Sequence, residues 1–296
     1  MLINKLILFI VFLTCYCFAG FIRFEGPAPT NINRLEVQAR YAELYKMVAP
    51  SQEIDRSPLV IRFYNKRSRA ETKKLLPEWG GGGAVGDDLI VIPVDSKPFL
   101  NQSFTQIIYH ELVHILLKRA YPSVDIPRWF HEGIALSLSG ELSINEHVVI
   151  SRAIFTGSLV DLDHIDSVNM FSKTRADLAY CQSHQAVQLL IRTYGMEVIP
   201  EILGAAKPKG DFERGMYGVL GLTEKEFEKI AEKDLQKRYS FVFIIADTYL
   251  LWAGIMLLFI VGLVVTRIRN RKKLEEIGDS EDTVSGENRE NTLSNK

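Results

Sequence analysis

Two histidines four residues apart, with a glutamate directly after the first, stand at His110-Glu111-Leu112-Val113-His114. On a helix, positions i and i+4 share one face, so both imidazoles can point at one metal ion while Glu111 flanks the fourth coordination position. Such a face suits zinc and a water that zinc activates. The same pair could also be two satisfied core histidines. Yet an apolar helix that turns two imidazoles and a carboxylate one way must satisfy all three groups once they are buried, and one metal ion does so at once. A further carboxylate and imidazole follow in Pro127-Arg128-Trp129-Phe130-His131-Glu132-Gly133-Ile134-Ala135.

The elements around these residues can be read from period and punctuation. Asn101 or Ser103 can cap a helix running through Arg119, and Ile107, Ile108, Val113, Ile115, Leu116 and Leu117 cover most of its circumference, so it should be deeply buried. Pro127 suits a helix start and Gly140 a helix end, which gives a second helix over residues 128–139. Upstream, residues 20–30 read as an extended lead-in, 35–48 as a helix, 59–64 and 88–93 as strands, and 69–76 as a short helix stopped by Pro77. Downstream, the chain is mainly helical, with a looser stretch over 156–172, an amphipathic helix over 176–194 and shorter helices near 196–203 and 223–238.

Gly80-Gly81-Gly82-Gly83-Ala84-Val85-Gly86 lies between the short helix and the second strand. No Gly-Lys-Ser/Thr follows and the next element is a strand, so it is not a phosphate-binding loop. It is either a flexible turn or a place where a substrate backbone can approach an exposed sheet edge, with Gly83, Ala84, Leu89 and Val91 as the strand-addition residues.

HELVH followed by PRWFHEGIA resembles the gluzincin metallopeptidases, and more narrowly the peptidase-MA-like proteins. The resemblance covers about residues 89–194, including Ala179-Tyr180-Cys181-Gln182-Ser183. It implies one Zn2+ per chain held by His110, His114 and Glu132, with Glu111 as the general base on the metal-bound water. His131 is the rival third ligand, but neighbouring helical residues point about 100° apart, so it cannot face the metal together with Glu132. Seventeen residues separate His114 from Glu132, one fewer than in the aminopeptidase branch, so that branch's amino-terminal specificity is not implied. For the donor that an oxyanion needs, Tyr180 is the first candidate and His184, one turn on along the same face, the second. Trp129 and Phe130 read as core aromatics that fix the Glu132 helix.

The ends of the chain set its compartment. Residues 1–19 read as a secretory signal peptide, with Lys5, an apolar run, and Cys17 and Ala19 at the cleavage positions. Cys181 is then the remaining cysteine, so no intrachain disulfide is expected. Residues 248–266 read as a transmembrane helix; the uncharged stretch 248–265 is long enough to cross ~30 Å of hydrocarbon. Arg267, Arg269, Arg271, Lys272 and Lys273 put its C-terminal side in the cytoplasm. The tail, within 267–296, has the polar composition of a disordered segment. A formal net charge of -1 argues against a nucleic-acid partner.

The expectation is therefore α+β: a small N-terminal sheet packed on a mainly helical zincin-like domain over 20–239, plus the C-terminal membrane helix. The activity expected is that of a membrane-anchored zinc peptidase acting on peptide or protein substrates outside the cytoplasm. A catalytically silent zinc-stabilised binding domain and a zinc hydrolase of a non-peptide amide are the alternatives.

Overall fold

The computed structural model describes residues 22–30, 32–53, 55, 57–65, 82–95, 103–140, 144–165, 172–239 and 251–272. The signal-peptide residues, the 69–76 helix, Gly80, Gly81, Asn101 and the polar tail lie outside the described residues. The chain divides into two compact units, residues 1–241 and 242–296.

The first unit is α+β. Its sheet holds β1 (Ile22–Glu25), β2 (Leu59–Tyr64), β3 (Gly83–Val85) and β4 (Leu89–Pro93), in the order β1-β2-β4-β3. β1 and β4 run parallel to β2, while β3 runs antiparallel to β4. Helix α1 (Arg34–Val48) connects β1 to β2, as a parallel pair requires. Asn33 caps α1 by accepting from the backbone N–H groups of Leu35 and Glu36. The central β4 is buried at Ile90, Val91 and Ile92, and that near-continuous apolar run is what a strand flanked on both sides carries.

Two of these strands were not expected. Residues 22–25 pair as a strand instead of forming an extended lead-in, and three residues of the glycine run form β3. The pairing also corrects the edge assignment. Gly83 and Ala84 are on β3, at the end of the strand order, whereas Leu89 and Val91 belong to β4, with β2 on one side and β3 on the other. A strand whose ladder groups are shared with two neighbours cannot receive a third, so Leu89 and Val91 are not edge residues.

Helix α2 (Phe104–Ala120) follows the sheet. Ser103 caps it: its Oγ accepts from Gln106 N while Gln106 Oε1 accepts from Ser103 N, at 3.2 and 2.9 Å. This reciprocal pair satisfies two N-terminal groups that the helix itself leaves open. At the other end Arg119 donates to the carbonyl oxygens of Ser57, Pro58 and Asp87, tying α2 to the loops before β2 and β4. Ile107, Ile108, Leu112, Val113, Ile115, Leu116 and Leu117 are all buried.

Helix α3 (Arg128–Ser139) ends at Gly140, whose φ of 76° is the left-handed conformation that glycine adopts without strain. Then come α4 (Ile144–Thr156), α5 (Lys173–Tyr194), α6 (Val198–Ala206), α7 (Phe212–Leu220) and α8 (Glu224–Tyr239). α7 was not expected from the sequence. α3 packs on both α2 and α5, so the two motif helices meet within the core.

In the second unit, α9 (Leu251–Lys272) is 22 residues long; its most apolar window has mean hydropathy 2.3, and none of that window is buried. Among the described residues it is the one helix long and apolar enough to cross a membrane.

Candidate metal centre

His110 and His114 sit one turn apart on α2, and their Nε2 atoms are 3.0 Å from each other. From α3, Glu132 brings its Oε2 to 3.3 Å from His110 Nε2 and 3.4 Å from His114 Nε2. The three ligand atoms could hold a metal ion.

Neighbours fix this meeting point. Trp129 is fully buried, stacks on Phe227 of α8 with centroids 5.5 Å apart, and donates its indole N–H to Glu224. Phe130 packs against Phe212 of α7 at 4.8 Å. These contacts hold the first turn of α3. One turn on, a Cβ at Gly133 would lie 2.3 Å from the Ser183 carbonyl oxygen and 2.5 Å from Val187 of α5. The glycine therefore lets α3 and α5 touch backbone to backbone, which sets the roll of α3 and with it the direction of Glu132. The Gln182 amide makes a two-bond clamp on the next loop, donating to Val160 O and accepting from Val160 N, both at 2.9 Å. Ser183 Oγ donates to Ala179 O. The Ala-Tyr-x-Gln-Ser segment thus carries a close-approach carbonyl and a loop clamp.

Electrostatics make the triangle unusual. Glu132 is 6% exposed. Burial alone would push its carboxyl pKa up, but the adjacent His114 and His110 hold it well below the ordinary carboxylate range. Its Oε2 is buried and accepts no hydrogen bond. Its Oε1 lies 3.2 Å from Arg128 Nε, one turn earlier on α3. Burial disfavours the Arg128 charge, yet Glu132 and the hydrogen-bonded Tyr180 hydroxyl raise its pKa, so the guanidinium stays charged. On the far side of His114, Nδ1 lies 2.6 Å from His131 Nδ1. The His131 pKa is pushed down to about 3, by burial first and by His114 second, so that ring is neutral.

The residues fit a metal ion. A neutral imidazole and a carboxylate each offer a lone pair, and three such atoms at 3.0 to 3.4 Å would repel unless a metal cation or an imidazole proton lay between them. Zinc with arms of about 2.0–2.1 Å has ligand-to-ligand edges of about 3.3 Å. A carboxylate oxygen buried without a donor calls for the same remedy.

Among the other candidates, Glu111 follows His110 on α2 and is 7% exposed. Tyr180, on α5, is hydrogen-bonded to Arg128, and its hydroxyl pKa is pushed up by burial first and then by Glu132, with a contribution from Glu111. Its phenol therefore stays a proton donor beside the triangle. His184 is placed differently: its Nδ1 is 2.8 Å from Glu146 Oε1 of α4 and the ring is 5% exposed. Its Nδ1 belongs to a separate buried pair. His131 lies outside the His110, His114 and Glu132 group, as the angle between neighbouring helical side chains requires. Arg128 was missed, although its spacing of four residues from Glu132 is a readable ion-pair signal on a helix.

A model of the Peptidase MA superfamily matches residues 41–235. The chain is also similar to "Uncharacterized protein YhcO" of Bacillus subtilis (strain 168), at 29% identity over 183 residues, covering 60% of this chain and 52% of that protein. The chain thus spans about half the length of that relative. Family and site together support a peptidase-like hydrolase with a group that could hold a metal ion.

Proposed function

The chain belongs to the Peptidase MA superfamily, and on that premise we propose that it is a membrane-anchored zinc metallopeptidase cleaving peptide or protein substrates. The observation that carries this reading is the buried triangle of two Nε2 atoms and Glu132 Oε2, with no donor on the carboxylate oxygen. His110, His114 and Glu132 would hold the zinc. When bound, zinc polarises the scissile carbonyl and brings the pKa of a coordinated water toward neutrality.

The chain's own residues do the rest. Glu111 stands next in sequence to a ligand, is a carboxylate, and is not part of the triangle. It takes the proton from the attacking water and hands it to the leaving amine. Glu132 could not serve as that base, because its Oε2 lone pair would be committed to the metal. Tyr180 holds its proton and can donate it to the oxyanion that develops on the substrate, while Arg128 keeps both Tyr180 and Glu132 in place. β3, the end strand among the described residues, would take an extended substrate backbone along Gly83 and Ala84.

Helix α9 anchors the chain in a bilayer. Arg267, Arg269, Arg271 and Lys272 follow its apolar span, and this basic flank supports a cytoplasmic C-terminal end with the catalytic unit outside the cytoplasm.

The test compares full-length wild-type protein and Glu111→Gln in detergent, both zinc-loaded, against unstructured protein substrates. The expected result is equal zinc content with hydrolysis reduced by about 10²–10⁴-fold. Equal hydrolysis by the two proteins would overturn the catalytic role of Glu111. Hydrolysis by neither would favour the zinc-stabilised binding domain.

A further inference from the structure

The triangle accounts for one nitrogen on each histidine ligand and leaves the orientation of the rings open. Metal-bound imidazoles are held by whatever accepts the proton on their other nitrogen, most often a carboxylate or a backbone carbonyl. For His114 that position is filled by a third imidazole, from the residue directly before Glu132.

We propose that His131 is a positioning residue for the metal centre: its Nδ1 accepts the His114 Nδ1–H, and so fixes the tautomer and ring plane in which His114 turns the Nε2 lone pair toward the ion.

The separation of 2.6 Å between the two Nδ1 atoms is well inside the about 3.5 Å of ordinary nonbonded contact. One nitrogen must therefore carry a proton and the other a lone pair. The rings are within 9° of parallel, with centroids 4.5 Å apart. The direction of the bond follows from the other side of His114. Its Nε2 is a corner of the triangle, 3.0 Å from His110 Nε2 and 3.4 Å from Glu132 Oε2, and must present a lone pair there to ligate. A neutral His114 then has its proton on Nδ1, and His131 must be neutral with its own proton on Nε2. The reverse bond would put a proton on His114 Nε2, pointing at the ion.

Helix geometry explains why one short stretch of α3 does both tasks. His131 and Glu132 project about 100° apart. Glu132 reaches the triangle directly, while His131 reaches around to the far edge of the His114 ring. The residue that sequence reasoning weighed as a competing ligand is thereby given a different role, with the ion held through His114.

The inference rests on the triangle being a zinc site, and the experiment separates the two. Zinc affinity of the full-length protein in detergent is measured by competition with a chromophoric chelator for wild type, His131→Phe and His131→Asn. Phenylalanine keeps a ring but offers no acceptor, so affinity should fall about 10–100-fold. Asparagine places a carbonyl oxygen where Nδ1 was, and should restore most of the loss. With six histidines in the chain, histidine-selective 15N spectra of wild type give a readout that needs no variant: His131 neutral with a bare Nδ1, His114 protonated on Nδ1. Equal affinity of wild type and His131→Phe would overturn the proposal, as would His131→Asn binding no better than His131→Phe, or a proton on His131 Nδ1. Should His131→Phe fail to fold, the wild-type spectra decide. A wild-type protein that binds no zinc removes the zinc reading, and this inference with it.

Discussion

Two buried clusters in the first unit each join a histidine to a glutamate from another helix, and they are built on opposite principles. Between α4 and α5, Glu146 Oε1 lies 2.8 Å from His184 Nδ1 and accepts from Gln185 Nε2 at 3.0 Å. That carboxylate has side-chain donors on hand, although the Gln185 side-chain carbonyl oxygen beside it is left without a partner. Between α2 and α3, Glu132 Oε2 faces two imidazole nitrogens and has no hydrogen-bond donor. Burial and residue types are alike in the two places. What differs is the convergence: two ring nitrogens and one carboxylate oxygen meet at a single point, in a group that could hold a metal ion.

The comparison breaks most sharply at Glu132. Glu132→Ala should weaken zinc binding on the order of 10³-fold, since one of three protein ligands to a strongly bound ion is lost, while Glu146→Ala should leave zinc affinity as it was; chelator competition measures both. Thermal or denaturant unfolding of the metal-free proteins should not separate them in this way. Glu146→Ala strands buried donors and should cost roughly 3 kcal/mol, and Glu132→Ala strands the buried Arg128 guanidinium and should cost a similar amount.

Arg128→Gln sharpens the picture on the metal side. The guanidinium next to Glu132 Oε1 holds the carboxylate so that Oε2 faces the imidazoles. Its loss should weaken zinc binding about 10–100-fold, a typical effect for a residue that orients a ligand.

The smallest effect is in the pH dependence of metal-free stability. The folded pKa of His131 is about 3, below its unfolded value of 6.5. The unfolded chain therefore binds the extra proton as pH falls through 6.5, and stability contributed by this site is lost from there down to about pH 3. Its slope is about 1.4 kcal/mol per pH unit from this one group. Glu132, whose folded pKa is also depressed, adds to the loss below its unfolded value. Unfolding free energies of wild type and His131→Phe, compared over that range, should show the variant with the shallower slope. Equal slopes would remove His131 as the titrating group.

Much of the centre was legible because its chemistry obeys helix spacing. His110 and His114 at i and i+4, Glu132 ahead of a glycine, and the aromatics Trp129 and Phe130 all have roles that follow from one helix face or from packing. Gly133 was readable as part of a motif, but its reason, a carbonyl of α5 that would clash with any Cβ, exists only once two helices are docked. The missed elements share that property. β3 is three residues long and is held by pairing with β4. α7 contains Gly215 and Gly218, poor helix formers, yet a Cβ at Gly215 would lie 2.5 Å from the Ile202 carbonyl oxygen, so close packing against α6 selects the glycine. The Leu89 and Val91 edge assignment failed because an apolar strand pattern does not say which neighbours the strand has. His184 was read by its helical spacing from Tyr180, and its partner Glu146 lies 38 residues away, beyond any local signal.

The central claim is that His110, His114 and Glu132 form a metal seat. Metal analysis of the full-length protein, purified in detergent with zinc supplied and loosely bound metal removed, tests it most directly. The account predicts one zinc per chain in wild type and Glu146→Ala, and none retained in Glu132→Ala. A wild-type protein without stoichiometric zinc, or a Glu132→Ala protein that keeps it, would contradict the account.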